Sequence, residues 1–190
     1  MQLTLSAVLL AGGESSRMGR DKATLYYTEQ PLWQRQLGIL RQLSPLEILV
    51  SARTDPIWRP PDTRFVSDTP PSRGPLSGLA AAMTEMRGTH LLVLAIDMPS
   101  ITDSYLRNMW ALAEPGKGVM PVMNSRPEPL AAIYPIQSFP HIGAAIQTIS
   151  DFSMRGIAEK LVNVGDLRVL RVGKKHEVFF RNLNSPADVT

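Results

Sequence analysis

Leu91-Leu92-Val93-Leu94-Ala95-Ile96 is apolar at every position. A strand with one wet face alternates apolar and polar residues. A run without a polar position must be covered on both faces, which is the condition of a strand inside a parallel sheet. The run stops abruptly at Asp97-Met98-Pro99. A second apolar run, Leu3 to Leu10, ends in Gly12-Gly13 and reads as another buried strand. Further strands are expected at 46–50, 64–67, 118–123, 130–134, 167–172 and 178–180, with a short extended segment at 23–27. Helical spacing or caps mark Pro31 to Leu43, Leu76 to Met86, a start at Thr102 or Asp103, 136–149 and 153–161. Strands alternate with helices through the first hundred residues, so the fold class is α/β with a mostly parallel sheet.

The 190 residues carry 44% hydrophobic and 19% charged side chains, enough for one domain spanning 1–190. The net charge is +3 with no long basic run, so charge gives no ground for a nucleic-acid partner. There is no cysteine. That excludes disulfides and thiolate metal sites and fits a cytoplasmic location. Residues 1–10 lack the basic start of a signal peptide and read as strand. No stretch has the length to span a membrane.

Ligands of parallel α/β sheets bind beyond the carboxyl ends of the strands. Four features follow strands or lie near them. Gly12-Gly13 can turn tightly and bring backbone N–H groups to an anion, and Arg17 and Lys22 add charge suited to a polyphosphate. The spacing matches neither G-x-x-x-x-G-K-[ST] nor G-x-G-x-x-G, and a plain turn is the competing reading. Asp97 either caps the next turn or holds a hard cation such as Mg²⁺, which takes one or two carboxylates plus phosphate oxygens. Asp68 either closes an Asp-Thr-Pro-Pro turn or sits by a base or ribose. Asn182-Leu183-Asn184 either caps a helix or places two amides on one face. His90, His141 and His176 are scattered without ligand spacing.

Leu10-Ala11-Gly12-Gly13-x-x-x-Arg17-Met18-Gly19-x-x-Lys22 resembles the signature of the molybdenum cofactor guanylyltransferases and their sugar-nucleotidyltransferase relatives. Pro31-Leu32, Asp68 with Gly74-Pro75-Leu76-Ser77-Gly78, Asp97-Met98-Pro99, Arg126-Pro127-Glu128-Pro129-Leu130 and Asn182-Leu183-Asn184-Ser185-Pro186 extend the resemblance over nearly the whole chain. It implies a three-layer α/β/α, Rossmann-like nucleotidyltransferase fold. It further implies transfer of GMP from GTP to the phosphate of molybdopterin cofactor, with Mg²⁺ and release of pyrophosphate. Lys22, Asp97 and Arg17 would be catalytic, and Asp97 would hold the metal. Leu10, Ala11, Gly12, Gly13, Lys22, Ser51, Asp68 and Asp97 would line the nucleotide, with Asn182 and Asn184 on the cofactor side. Molybdoenzymes or delivery chaperones are the further partners the resemblance suggests. Ser51 departs from the family, which often carries Asn there. The alternatives are a cytidylyltransferase acting on the same cofactor and a non-catalytic nucleotide-binding delivery protein.

Overall fold

The computed structural model describes residues 2–12, 21–68, 74–147 and 153–183. Strand β1 (Leu5–Leu10) is buried along its whole length. After it come a single 3₁₀ turn (Lys22–Thr24), a two-residue hairpin of β2 (Tyr26–Tyr27) and β3 (Gln30–Pro31), and helix α1 (Leu32–Arg41). β4 (Glu47–Ala52), β5 (Arg64–Ser67), α2 (Pro75–Glu85) and β6 (His90–Ala95) complete the first half. The second half runs α3 (Asp103–Trp110), β7 (Gly118–Met123), β8 (Arg126–Pro127), β9 (Ala131–Pro135), α4 (Phe139–Gln147), α5 (Met154–Asn163) and β10 (Leu167–Arg171), then a 3₁₀ segment at Lys174–Phe180.

One sheet has the order β10-β7-β9-β6-β1-β4-β5, with β8 paired to β7. The pairs β10–β7, β6–β1, β1–β4 and β4–β5 are parallel. Among the described strands of this sheet, only β9 and β8 run against the rest. Strand alternation splits the core into two layers. Ala7, Leu9, Leu92 and Leu94 pack with Leu37 and Leu40 of α1 and Leu106 and Met109 of α3. Val8, Leu10, Leu91 and Val93 pack with Leu76 and Leu79 of α2, Ile142 of α4 and Leu161 of α5. The three-layer α/β/α arrangement follows from this two-sided covering of strands without a polar face.

The structure departs from the sequence expectations in three places. Segment 23–27 is not extended throughout, because Asp21 accepts a hydrogen bond from Ala23 N and caps a 3₁₀ turn before β2. Pro31 precedes α1 instead of opening it, since it pairs with Tyr26 in the hairpin. Residues 178–180 are not a strand. They close the last 3₁₀ segment, where Phe179 and Phe180 each meet the Tyr105 ring edge-on. Thr102 does cap α3, accepting from Tyr105 N.

Gly118 opens β7 where it crosses β9. A Cβ there would collide with the backbone oxygen of Ile133. Backbone inside a paired ladder cannot retreat as a side-chain tip can. Gly118→Ala should therefore destabilise by about 3 kcal/mol or more, measured by chemical denaturation.

Candidate functional site

β1, β4, β5 and β6 are mutually parallel, so their carboxyl ends share one edge of the sheet. The chain leaves β1 for β4 on one side and returns to β6 on the other. The β1/β6 crevice is therefore the topological switch point, where ligands of such sheets bind. The end of β1 is stitched to both neighbours. Ala11 N and Gly12 N both donate to Ser51 O, at 2.9 and 3.0 Å, and Ile96 N donates to Leu10 O. The N–H of Gly12 is thus committed to β4 and is not free for an anion nest. What Gly12 contributes is the absence of a side chain. A Cβ there would stand 2.6 Å from Asp68 Oδ2 and 3.3 Å from Ala52 Cα.

On the β4/β5 side, Asp68 N donates to Ala52 O, and Ser51 Oγ donates to Asp68 Oδ1 at 2.7 Å. Both side chains are buried, Ser51 being 1% and Asp68 6% exposed. Gly78, in the first turns of α2, closes this group. A Cβ at Gly78 would lie 2.7 Å from Ser51 Oγ and 3.0 Å from Asp68 Oδ1. The helix reaches this position because Gly74 takes φ +66°, a left-handed conformation suited to glycine, immediately before Pro75.

On the β6 side, Lys22 Nζ lies 3.5 Å from Asp97 Oδ2 and donates to Leu183 O at 3.0 Å. Leu183 N in turn donates to Asp97 O at 2.9 Å. Lys22, Asp97 and the 182–183 segment are separated by as many as 161 residues in sequence yet meet here. The Asp97 turn is held from beneath by Gln36 of α1, which is fully buried and donates to both Ala95 O and Met98 O. Arg35 donates to Pro99 O. The Arg126–Leu130 motif approaches from β9, with Ala95 N donating to Leu130 O and the buried Tyr134 hydroxyl donating to Pro129 O. Burial pushes the Glu128 carboxyl up from its ordinary value, while the positive charge of Arg155 opposes the shift.

The structure therefore gathers the sequence candidates into two groups flanking the end of β1. Ser51 and Asp68 stand with Gly12, and Lys22 and Asp97 stand with Leu183 beside Asn182. Gly13, Arg17 and Asn184 lie outside the described residues. Four contributors escaped the sequence reading. Gln36 lies in the otherwise apolar buried stripe of α1, and a lone amide in such a stripe is the signal that finds it. Gly78 ends the Gly74-Pro75-Leu76-Ser77-Gly78 motif, which gives it no role of its own. The Leu183 contribution is a backbone carbonyl, invisible to side-chain patterns. Trp58 donates from Nε1 to Asp21 Oδ2 at 2.9 Å and stacks on Trp33 at 5.7 Å, anchoring the turn that carries Lys22.

No group of three or more His, Cys, Asp or Glu residues clusters as a metal cage among the described residues. A metal here would rest on the partly exposed Asp97 carboxylate and on oxygens of the ligand. That donor set suits Mg²⁺, which favours few protein carboxylates together with phosphates and water. No helix among the described residues is long and apolar enough to cross a membrane.

The model of the MobA-like NTP transferase domain matches residues 7–164. A protein of Opitutus terrae named as a probable molybdenum cofactor guanylyltransferase is 32% identical over 187 residues, covering 97% of this chain and 92% of its own. Among solved structures, the molybdopterin-guanine dinucleotide biosynthesis protein A of Archaeoglobus fulgidus superposes with a TM-score of 0.68 at 23% identity, covering 97% and 94% of the two chains. The 4-diphosphocytidyl-2C-methyl-D-erythritol synthase of Anaerococcus prevotii superposes with a TM-score of 0.76 at 9% identity, covering 98% and 93%. At these identities the two superpositions speak for the fold.

Proposed function

The chain belongs to the MobA-like NTP transferase family and is a nucleotidyltransferase, and we propose that it transfers GMP from GTP to the phosphate of molybdopterin cofactor. The observation that carries this reading is the meeting of Lys22, Asp97 and the 182–183 segment at the switch point. A phosphate oxygen of the acceptor attacks the α-phosphorus of GTP. A new P–O bond forms, the bond to the α–β bridging oxygen breaks, and pyrophosphate leaves with the electron pair. The acceptor is already an anionic nucleophile, so the enzyme needs no activated Ser, Cys or His.

What the protein supplies is alignment and charge compensation. Lys22 offsets the negative charge that builds around the α-phosphorus. Asp97 would hold Mg²⁺, which when bound neutralises phosphate charge and organises the triphosphate. Asp68 faces the nucleoside, with Ser51 hydrogen-bonded behind it and Leu10, Ala11 and Gly12 as the wall between the two groups. Asn182 stands on the acceptor side. The cytoplasm is the proposed site of the reaction, in keeping with a chain without cysteine.

Nucleotide choice is tested by thermal shift and by pyrophosphate release in the presence of molybdopterin cofactor, comparing GTP with CTP and ATP. GTP at about a hundredfold excess over its Kd should raise Tm by about 5–10 °C, and GTP alone should give cofactor-dependent pyrophosphate. Stabilisation and turnover by CTP in place of GTP would overturn the guanylyl assignment. Binding without pyrophosphate would support the delivery protein instead.

A further inference from the structure

We infer that Ser51 is a positioning residue, which holds Asp68 so that its second carboxylate oxygen accepts a neutral N–H or O–H donor of the nucleoside. The inference rests on the proposed nucleotidyl site and adds to it the selector of the nucleoside. Ser51 does not present its hydroxyl outward. The group is 1% exposed, and its hydroxyl is spent on Asp68 Oδ1 at 2.7 Å. It therefore acts through Asp68.

The fit around the pair is built. Glycine at position 78 leaves room for Ser51 Oγ and Asp68 Oδ1, and glycine at position 12 leaves room for Asp68 Oδ2. Asp68 is 6% exposed. Among the described residues its side chain takes one donor, the neutral hydroxyl of Ser51, on Oδ1. A carboxylate this enclosed needs more than one donor. Oδ2 lies over Gly12, at the mouth of the loop assigned to the nucleotide, and there Gly12 offers no side-chain donor. A nucleoside arriving over Gly12 brings such donors: the guanine 2-amino group or the ribose 2′-hydroxyl. A nucleoside lacking the donor leaves a buried acceptor unpaired, which is the strong form of discrimination.

The test uses the full chain with GTP, ITP, which lacks the 2-amino group, and 2′-deoxy-GTP. The wild type should prefer GTP over one of the two analogues, and that arm identifies the donor as base or ribose. Ser51→Ala should raise KM for GTP about tenfold with kcat within about twofold, and it should collapse the discrimination in that same arm alone. Ser51→Cys keeps the volume and weakens the donor. It should move in the same direction by less, and it stands in if the alanine variant unfolds. An unchanged KM, or equal losses with all three nucleotides, would overturn the inference. If the wild type uses another nucleotide, the guanylyl reading falls by itself. Ser51 is then judged on that nucleotide and on its analogues without the exocyclic amine or the 2′-hydroxyl, by the same criteria.

Discussion

Asp97→Asn should lower kcat about a thousandfold while leaving the fold intact. The two halves of this expectation come from different atoms of the same residue. The backbone oxygen of Asp97 receives Leu183 N, and substitution does not touch it. The turn itself is held by Gln36 and Arg35 through the carbonyls of Ala95, Met98 and Pro99. The side chain contributes one ion pair with Lys22, at 3.5 Å and with about a quarter of each side chain exposed. Pairs of that kind contribute about 0–1 kcal/mol to stability, so Tm should barely move. The carboxylate charge, in contrast, is the one candidate anchor for a metal among the described residues of this group, and an amide cannot replace it. The variant should retain a native circular dichroism spectrum and lose metal-dependent pyrophosphate release. Metal-dependent turnover at the wild-type rate would remove Asp97 from the metal site.

The position of Asp97 was legible in the sequence because of what precedes it. A carboxylate directly after six apolar residues must emerge at a strand end, and in a parallel sheet that end is the ligand edge. Gly12 was legible for the same reason, as was the three-layer packing, since strands without polar positions require cover on both sides. The arrangement within the site was not legible. The Gly-Gly motif suggested free N–H groups, yet Gly12 N is used on Ser51 O, because the end of β1 still belongs to the sheet. Ser51 read as a shortened nucleotide contact, yet its hydroxyl turns to Asp68, seventeen residues away. Residues 178–180 carry strand-like Val-Phe-Phe, but packing of the two phenylalanines on Tyr105 outweighs that local preference. Motif spacing reports which residues stand at the edge. Which partner each one takes depends on contacts between segments far apart in the chain.

Lys22→Met should lower kcat about a hundredfold or more and raise KM for GTP, in contrast to the nearly pure kcat effect at Asp97. The methionine keeps the apolar stem and removes the charge. The ammonium is shared between Asp97 Oδ2 and Leu183 O. These are partners it can exchange: a triphosphate offers Lys22 stronger anionic acceptors, and a metal offers Asp97 a stronger cation. On the proposed reading both exchanges occur together, so Lys22→Met should weaken ground-state binding as well as the transition state. Folding should suffer by about 1 kcal/mol, because the Leu183 carbonyl loses its donor. Lys22→Arg keeps the charge but spreads it over a planar fork, and should recover KM more than kcat. Residues that act as a unit have non-additive effects. The double variant Lys22→Met/Asp97→Asn should therefore be little slower than Asp97→Asn alone. Steady-state kinetics on wild type, the two single variants and the double variant decides this: fully multiplicative losses would mean that the two groups act independently, and that their contact has no part in catalysis.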